Sequence, residues 1–162
     1  MTIERVWAGS NAPEAHDALQ KWVSYHSFGH KENVWPDSSS FGVLRDGIPI
    51  AGVIYHDYKP DCGTIQYSGA ATSPAWLQGS TLHLMFGYMF DDLGCQMVMT
   101  GNASDNTRLH RILKRLGHKN HIIERGWGRD ADLYLWTLTR EQWLENDVMT
   151  RSREWAEGDK NV

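Results

Sequence analysis

The segment from Cys95 to His118 constrains the fold more than any other part of this chain, because it fixes the order of three elements. Cys95-Gln96-Met97-Val98-Met99-Thr100 follows Gly94 as a short apolar run, the pattern of a buried strand. Leu109, Ile112, Leu113 and Leu116 then recur at i, i+3, i+4 and i+7, while Arg108, Arg111, Lys114 and Arg115 lie off that stripe, which predicts an amphipathic helix. Ser104, Asp105 or Asn106 can cap the helix, and Gly117 supplies a left-handed stop. Asn102 and Asn106 sit in the loop between strand and helix. Loops beyond the carboxyl ends of strands are where side chains reach a ligand without disturbing a core. An asparagine carries a donor and an acceptor but no charge, which suits the amide arm of a cofactor; asparagine equally caps and turns chains in most loops.

The remaining elements follow from local chemistry. Asn11-Ala12-Pro13-Glu14 reads as a capped helix start, with Ala15, Leu19, Trp22 and Val23 forming its apolar stripe to about residue 26. Residues 28–41 contain Gly, Pro and three successive serines and read as loop. Asp46-Gly47 between two apolar runs, 41–45 and 48–56, is a hairpin signal, with Pro49 marking an edge or strand start. A turn at 59–63 leads to a strand over 64–71, so three consecutive antiparallel strands are expected. Ser73-Pro74 opens a helix whose Leu82, Met85, Phe86, Met89, Phe90 and Leu93 keep helical spacing to Gly94. After the second helix, 118–123 and 132–138 read as strands joined by a glycine-containing turn, followed by a short helix around Trp143 and a charged tail that frays.

A chain of 162 residues without an internal repeat suits one domain, taken as 1–146, with 147–162 as the charged tail. Net charge is -4 with charges of both signs mixed along the chain, so nothing demands a polyanionic partner; Arg108, Arg111, Lys114, Arg115 and Lys119 form a basic cluster that a nucleic acid could use, although a solvated helix face is its ordinary explanation. Cys62 and Cys95 make neither a disulfide framework nor a zinc motif, which suits an intracellular protein. The N-terminus lacks the apolar core of a signal peptide, and no apolar run is long enough to span a bilayer. A soluble cytoplasmic protein without a membrane partner is expected. His26 and His30 are separated by Ser27 and Gly29, and His118 and His121 fall in a turn and strand, so no metal site is expected.

The order helix, hairpin strands, long helix, strand, helix and two strands resembles that of the GNAT N-acyltransferase superfamily over about residues 12–145. Asn106 followed by Gly117 resembles its asparagine helix with a Leu-Gly-Phe-like stop, His118 replacing the phenylalanine; Asp130-Ala131-Asp132-Leu133-Tyr134 and Arg140-Glu141-Gln142-Trp143 are similar to its acidic turn and terminal strand. Tyr55-His56-Asp57-Tyr58, 71–77 and 90–95 resemble a GNAT-like group of phages and proteobacteria. The resemblance implies an α+β (mixed α/β) fold, a central mixed, mostly antiparallel sheet with helices on both faces. It also implies an acetyl-CoA site between the strands of 66–70 and 96–100. There, backbone groups of Tyr67, Ser68, Gly69 and Ala70 pair with the pantetheine arm. Gln78, Gly79, Ser80 and Thr81 meet the pyrophosphate, and Asn102 and Asn106 hold the amides. A helix N-terminus with unpaired N–H groups suits a phosphate.

The family's phosphate loop reads Gln/Arg-x-x-Gly-x-Gly/Ala; here Pro74 and Leu77 occupy its first two signature positions and Gly79 its last. Leu113 stands where many members place a tyrosine acid, and Leu109 where one branch has serine. Among His56, Asp57 and Tyr58, His56 is the first choice as general base, since imidazole titrates in the useful range; turn or packing roles suit the same residues. Trp76 and Trp127 are candidate pocket walls, and a second copy of the chain is a candidate partner. The expected activity is acetyl transfer from acetyl-CoA to a primary amine of a small molecule or protein. The alternatives are a phage-type DNA-base-modifying acyltransferase and a non-catalytic binding protein of the same fold.

Overall fold

In the computed structural model Asp46 and Gly47 have φ of 52° and 81°, the left-handed pair that a two-residue hairpin turn demands. They join β2 (Ser39–Arg45) to β3 (Ile48–Lys59), which pair antiparallel; a register slip between Val43 and Leu44 accommodates Pro49 at the start of β3. β1 (Ile3–Ala8) adds antiparallel to β2, and β4 (Thr64–Ala71) neighbours β3, giving the order β1-β2-β3-β4. The description covers all residues except 31, 33 and 160–162, so the last three positions of the expected tail lie outside the described residues. The chain divides into two compact units, residues 1–58 with 66–81 and residues 59–65 with 82–162.

In the first unit α1 (Pro13–Phe28) places its proline in the first turn and ends at Gly29, φ 78°, whose N–H donates to the Tyr25 carbonyl at 2.8 Å. Its N-cap is Ala12 with no side-chain cap, so the cap expected from Asn11 is not made. The buried stripe is Leu19, Gln20, Val23 and Ser24, and Ala15 is exposed. The stripe turns this way because the two strands beneath carry glycines: a Cβ at Gly42 would lie 2.8 Å from Leu19 Cδ2, and one at Gly52 2.8 Å from Val23 Cγ2. Val23, Ile54 and Trp35 form the core there, with Trp22 and Ala70 against it.

The single helix expected from Ser73 to Gly94 is broken. Pro74–Leu77 is one 3-10 turn capped by the Ser73 hydroxyl, which accepts from the Ala75 N–H at 3.3 Å; Gly79 then takes φ 55°, and α2 (Thr81–Gly87) starts beyond it. A glycine in the left-handed region cannot continue a right-handed helix, so the break is local in origin. The last turn widens to a π turn at Tyr88–Asp92 before Gly94, φ 69°, and keeps Leu82, Met85, Phe86, Met89 and Phe90 buried as their spacing requires.

The second unit contains β5 (Met97–Ala103), α3 (Thr107–Arg115), β6 (Lys119–Gly128) and β7 (Ala131–Thr139). The order is β5-β7-β6, both pairings antiparallel. Thr139 and Gln142 make a reciprocal capping box that opens α4 (Arg140–Glu145). The tail expected to fray is helical, α5 (Asp147–Asp159): Met149, Ser152 and Ala156 are buried at i, i+3 and i+7, and the Ser152 hydroxyl accepts from the His83 N–H at 2.9 Å. The fold is mixed α+β with mostly antiparallel strands, as expected. Among the described residues no helix is long and apolar enough to cross a membrane.

Candidate active site

β2 stops covering β3 at the pair Ser39 and Tyr55, and the next residue, His56, is buried. Its imidazole lies between two oxygens, Nδ1 at 2.5 Å from Asp57 Oδ2 and Nε2 at 2.8 Å from Ser68 Oγ on β4. Successive strand side chains ordinarily point to opposite faces. Asp57 escapes that rule because its φ is 54°, a left-handed backbone that returns its exposed carboxylate toward the preceding imidazole. The Trp35 ring lies 6.0 Å from that of His56 and is itself buried. A carboxylate oxygen accepts, so Nδ1–H donates to Asp57, and the tautomer with its hydrogen on Nδ1 turns the Nε2 lone pair to the Ser68 hydroxyl. Tyr58, the third expected member, is exposed. The Tyr67 phenol is buried and pushed well above its ordinary range by desolvation.

The residues expected at the pyrophosphate, Gln78, Gly79, Ser80 and Thr81, form the bend between the 3-10 turn and α2, with Ser80 and Thr81 buried. Arg5 on β1 reaches this bend: its Nε–H donates to Thr81 Oγ1 at 2.7 Å and its Nη2 to the Gln78 carbonyl at 3.2 Å. A fixed guanidinium is a natural phosphate partner, and here it stands beside a loop whose signature residues are replaced. Sequence reasoning missed Arg5 because nothing local marks a residue whose partners lie some seventy positions away.

In the second unit β5 extends to Ala103, so Asn102 is a strand residue and not, as expected, a loop residue; it pairs across from Tyr134. His110, from the first turns of α3, donates from Nε2 to Asn102 Oδ1 at 2.7 Å and stacks at 4.7 Å on Tyr134 and 5.5 Å from Trp136. Asn102 Nδ2 and Trp136 Nε1 are buried without a hydrogen-bond partner among the described residues. A buried donor left unpaired costs about 1–3 kcal/mol, so two on one face suit an acceptor-bearing ligand. Asn106 is the N-cap residue of α3, yet its side chain makes no capping bond and is exposed. The capping role open to it in the sequence is therefore unused.

The other candidates are placed as follows. The basic cluster keeps Arg108, Arg111, Lys114 and Lys119 exposed, but Arg115 is committed to a bidentate pair with Asp147 at 2.8 and 3.2 Å, which holds that carboxyl at about 2. His118 is buried, donates from Nδ1 to the Leu113 carbonyl at 3.1 Å and packs edge-on to Phe86 at 5.7 Å; it fills the aromatic position after the glycine stop. Trp127 is exposed on β6 and Trp76 is half-buried in the 3-10 turn.

No family model matches the chain, and no curated protein matches it. Solved structures do match. A GCN5-related N-acetyltransferase from Brucella melitensis superposes with a TM-score of 0.67 at 14% identity, over 94% of this chain and 81% of that one. A spermidine N-acetyltransferase from Vibrio cholerae, in complex with CoA and spermine, gives 0.65 at 12%, over 88% and 98%. An N-acetyltransferase from Staphylococcus aureus gives 0.62 at 11%, over 86% and 99%. The chain spans 65% of the length of two others, matched at TM-scores of 0.62 and 0.56 and identities of 16% and 17%, over 74% and 67% of its own length. At these identities the likeness is one of architecture, and the architecture is that of the GCN5-related N-acetyltransferases.

Proposed function

We propose that the protein is an N-acetyltransferase that moves an acetyl group from acetyl-CoA to a primary amine of a small molecule or protein. The observation that carries this reading is the state of the two asparagines: Asn106 heads α3 without capping it, and Asn102 keeps a buried amide donor unpaired. Both are available to the amides of a pantetheine arm. In the first unit, backbone groups of Tyr67, Ser68, Gly69 and Ala70 are the ones this reading assigns to an acyl donor. Gln78, Gly79, Ser80 and Thr81, backed by Arg5, receive the pyrophosphate. The fold supports the same choice, and one structure of that fold was solved with CoA and a polyamine.

His56 is the general base. With Nδ1 held by Asp57, its Nε2 lone pair accepts a proton from the incoming ammonium or its neutral amine. A thioester is already activated, so holding it beside a deprotonated amine supplies most of the remaining acceleration. With leucine at position 113, the departing thiolate takes its proton from His56 or from solvent.

The test is acetyl-CoA with panels of small amines, peptides and duplex DNA, read by mass spectrometry of every component. Acetylation of an amine by the parent protein is expected. No acetyl transfer to any of them, together with no binding of acetyl-CoA, would leave only the non-catalytic binding protein; acetylation confined to DNA would shift the acceptor to a base.

A further inference from the structure

The Ser68 hydroxyl is the one element of the first unit's polar cluster that a direct transfer does not use. Its oxygen lies 2.8 Å from His56 Nε2, and the opposite ring nitrogen lies 2.5 Å from Asp57 Oδ2. A carboxylate, an imidazole and a hydroxyl in that order form the relay by which a serine becomes a nucleophile, recognised by geometry and roles and not by position in the chain. The arrangement also carries a cost. Asp57 holds a left-handed φ of 54° within a strand, a conformation that residues with a side chain rarely adopt, and such strain collects at functional sites. The outcome of the strain is that neighbouring strand residues meet, which an unstrained backbone would forbid. The buried ring of Trp35, 6.0 Å from the imidazole, limits its movement. Ser68 is half-buried, and the following residue, Gly69, is exposed.

We infer that Ser68 is a nucleophile that accepts the acyl group before the amine does. This rests on the acetyltransferase reading for the natural donor. Ser68 Oγ attacks the thioester carbonyl carbon while its proton passes to His56 Nε2. The C–S bond breaks, the thiolate takes the proton from the imidazolium, and the acyl group remains as an ester on Ser68. An amine then attacks the ester carbonyl and gives its proton to His56. As the C–O bond breaks, His56 returns that proton to Ser68 Oγ, leaving an amide and free serine. Water in place of the amine gives the free acid, so slow thioester hydrolysis accompanies transfer. Asp57 is a positioning residue: it acts through the His56 tautomer.

The test uses the full-length protein with two acyl donors, acetyl-CoA and p-nitrophenyl acetate, without an amine, followed by intact-mass and peptide-mapping mass spectrometry. The expected result is one acetyl group on Ser68 from either donor, absent in Ser68→Ala and restored as a thioester in Ser68→Cys. Asp57→Asn is expected to slow acylation by on the order of 10²-fold and to move the midpoint of its pH profile, with the unfolding midpoint unchanged. Transfer from acetyl-CoA to an amine by Ser68→Ala at the parent's rate overturns the proposal and leaves the acetyltransferase reading intact. Labelling of Ser68 by p-nitrophenyl acetate alone, with acetyl-CoA neither bound nor consumed, supports the nucleophile and overturns the acetyltransferase reading instead. No label on Ser68 from either donor also overturns the nucleophile.

Discussion

His118 shows how one residue can be legible in place and not in role. Its position after Gly117 marks the end of α3, but only the packed structure shows that burial pushes its imidazole down from 6.5 to about 4. The folded state therefore binds fewer protons than the unfolded one between those values, and stability rises with pH there. The contribution is complete above pH 6.5 and is lost as pH falls toward about 4, at most on the order of 3 kcal/mol. Urea unfolding across this window is expected to show that slope in the parent and a flatter one in His118→Phe. Asn106 is the opposite case. Its exposed, uncapped side chain predicts that Asn106→Ala changes stability by no more than about 0.5 kcal/mol. The proposed hydrogen bond from Asn106 to the donor predicts about a tenfold weaker acetyl-CoA affinity for the same variant. Paired unfolding and calorimetric titration check both halves. The constellation at His56 was only partly visible: imidazole and carboxylate are adjacent in sequence, but Ser68 comes from the next strand, and no sequence pattern announces a left-handed Asp57.

At the scale of elements, periodicity revealed what local chemistry decides. The Asp46-Gly47 turn, the α3 stripe and its glycine stop are set by residues next to one another, and each is found where the sequence puts it. β1 was missed because only part of it is buried and its pairing is made to β2, over thirty residues away. α5 was read as frayed because its charged face dominates the composition, whereas its stability comes from Met149 and Ala156 against the rest of the second unit. Met149→Ala, a truncation at a fully buried site, is expected to cost about 2–5 kcal/mol, seen as a lower denaturant midpoint. In the first unit α1 lies on bare backbone at Gly52, so Gly52→Ala, forcing a methyl to 2.8 Å from Val23, is expected to cost about 1–3 kcal/mol by thermal unfolding. Were either variant as stable as the parent, the corresponding packing assignment would fail.

For the whole molecule, the proposal is that a fold shared with GCN5-related N-acetyltransferases carries an acyl-donor site here although two of the family's signature loop residues are replaced. Pro74 and Leu77 were legible as departures, and the sequence pattern also pointed to a continuous helix from Ser73 to Gly94. The structure breaks that helix at Gly79 and brings Arg5, from a strand at the other end of the chain, to the bend. The measurement that bears most directly on the claim is calorimetric titration of the parent protein with acetyl-CoA, alongside the variant Arg5→Ala. Saturable binding by the parent at a 1:1 ratio, weakened in Arg5→Ala, is the expected result. The absence of any heat or thermal stabilisation at millimolar acetyl-CoA would contradict it.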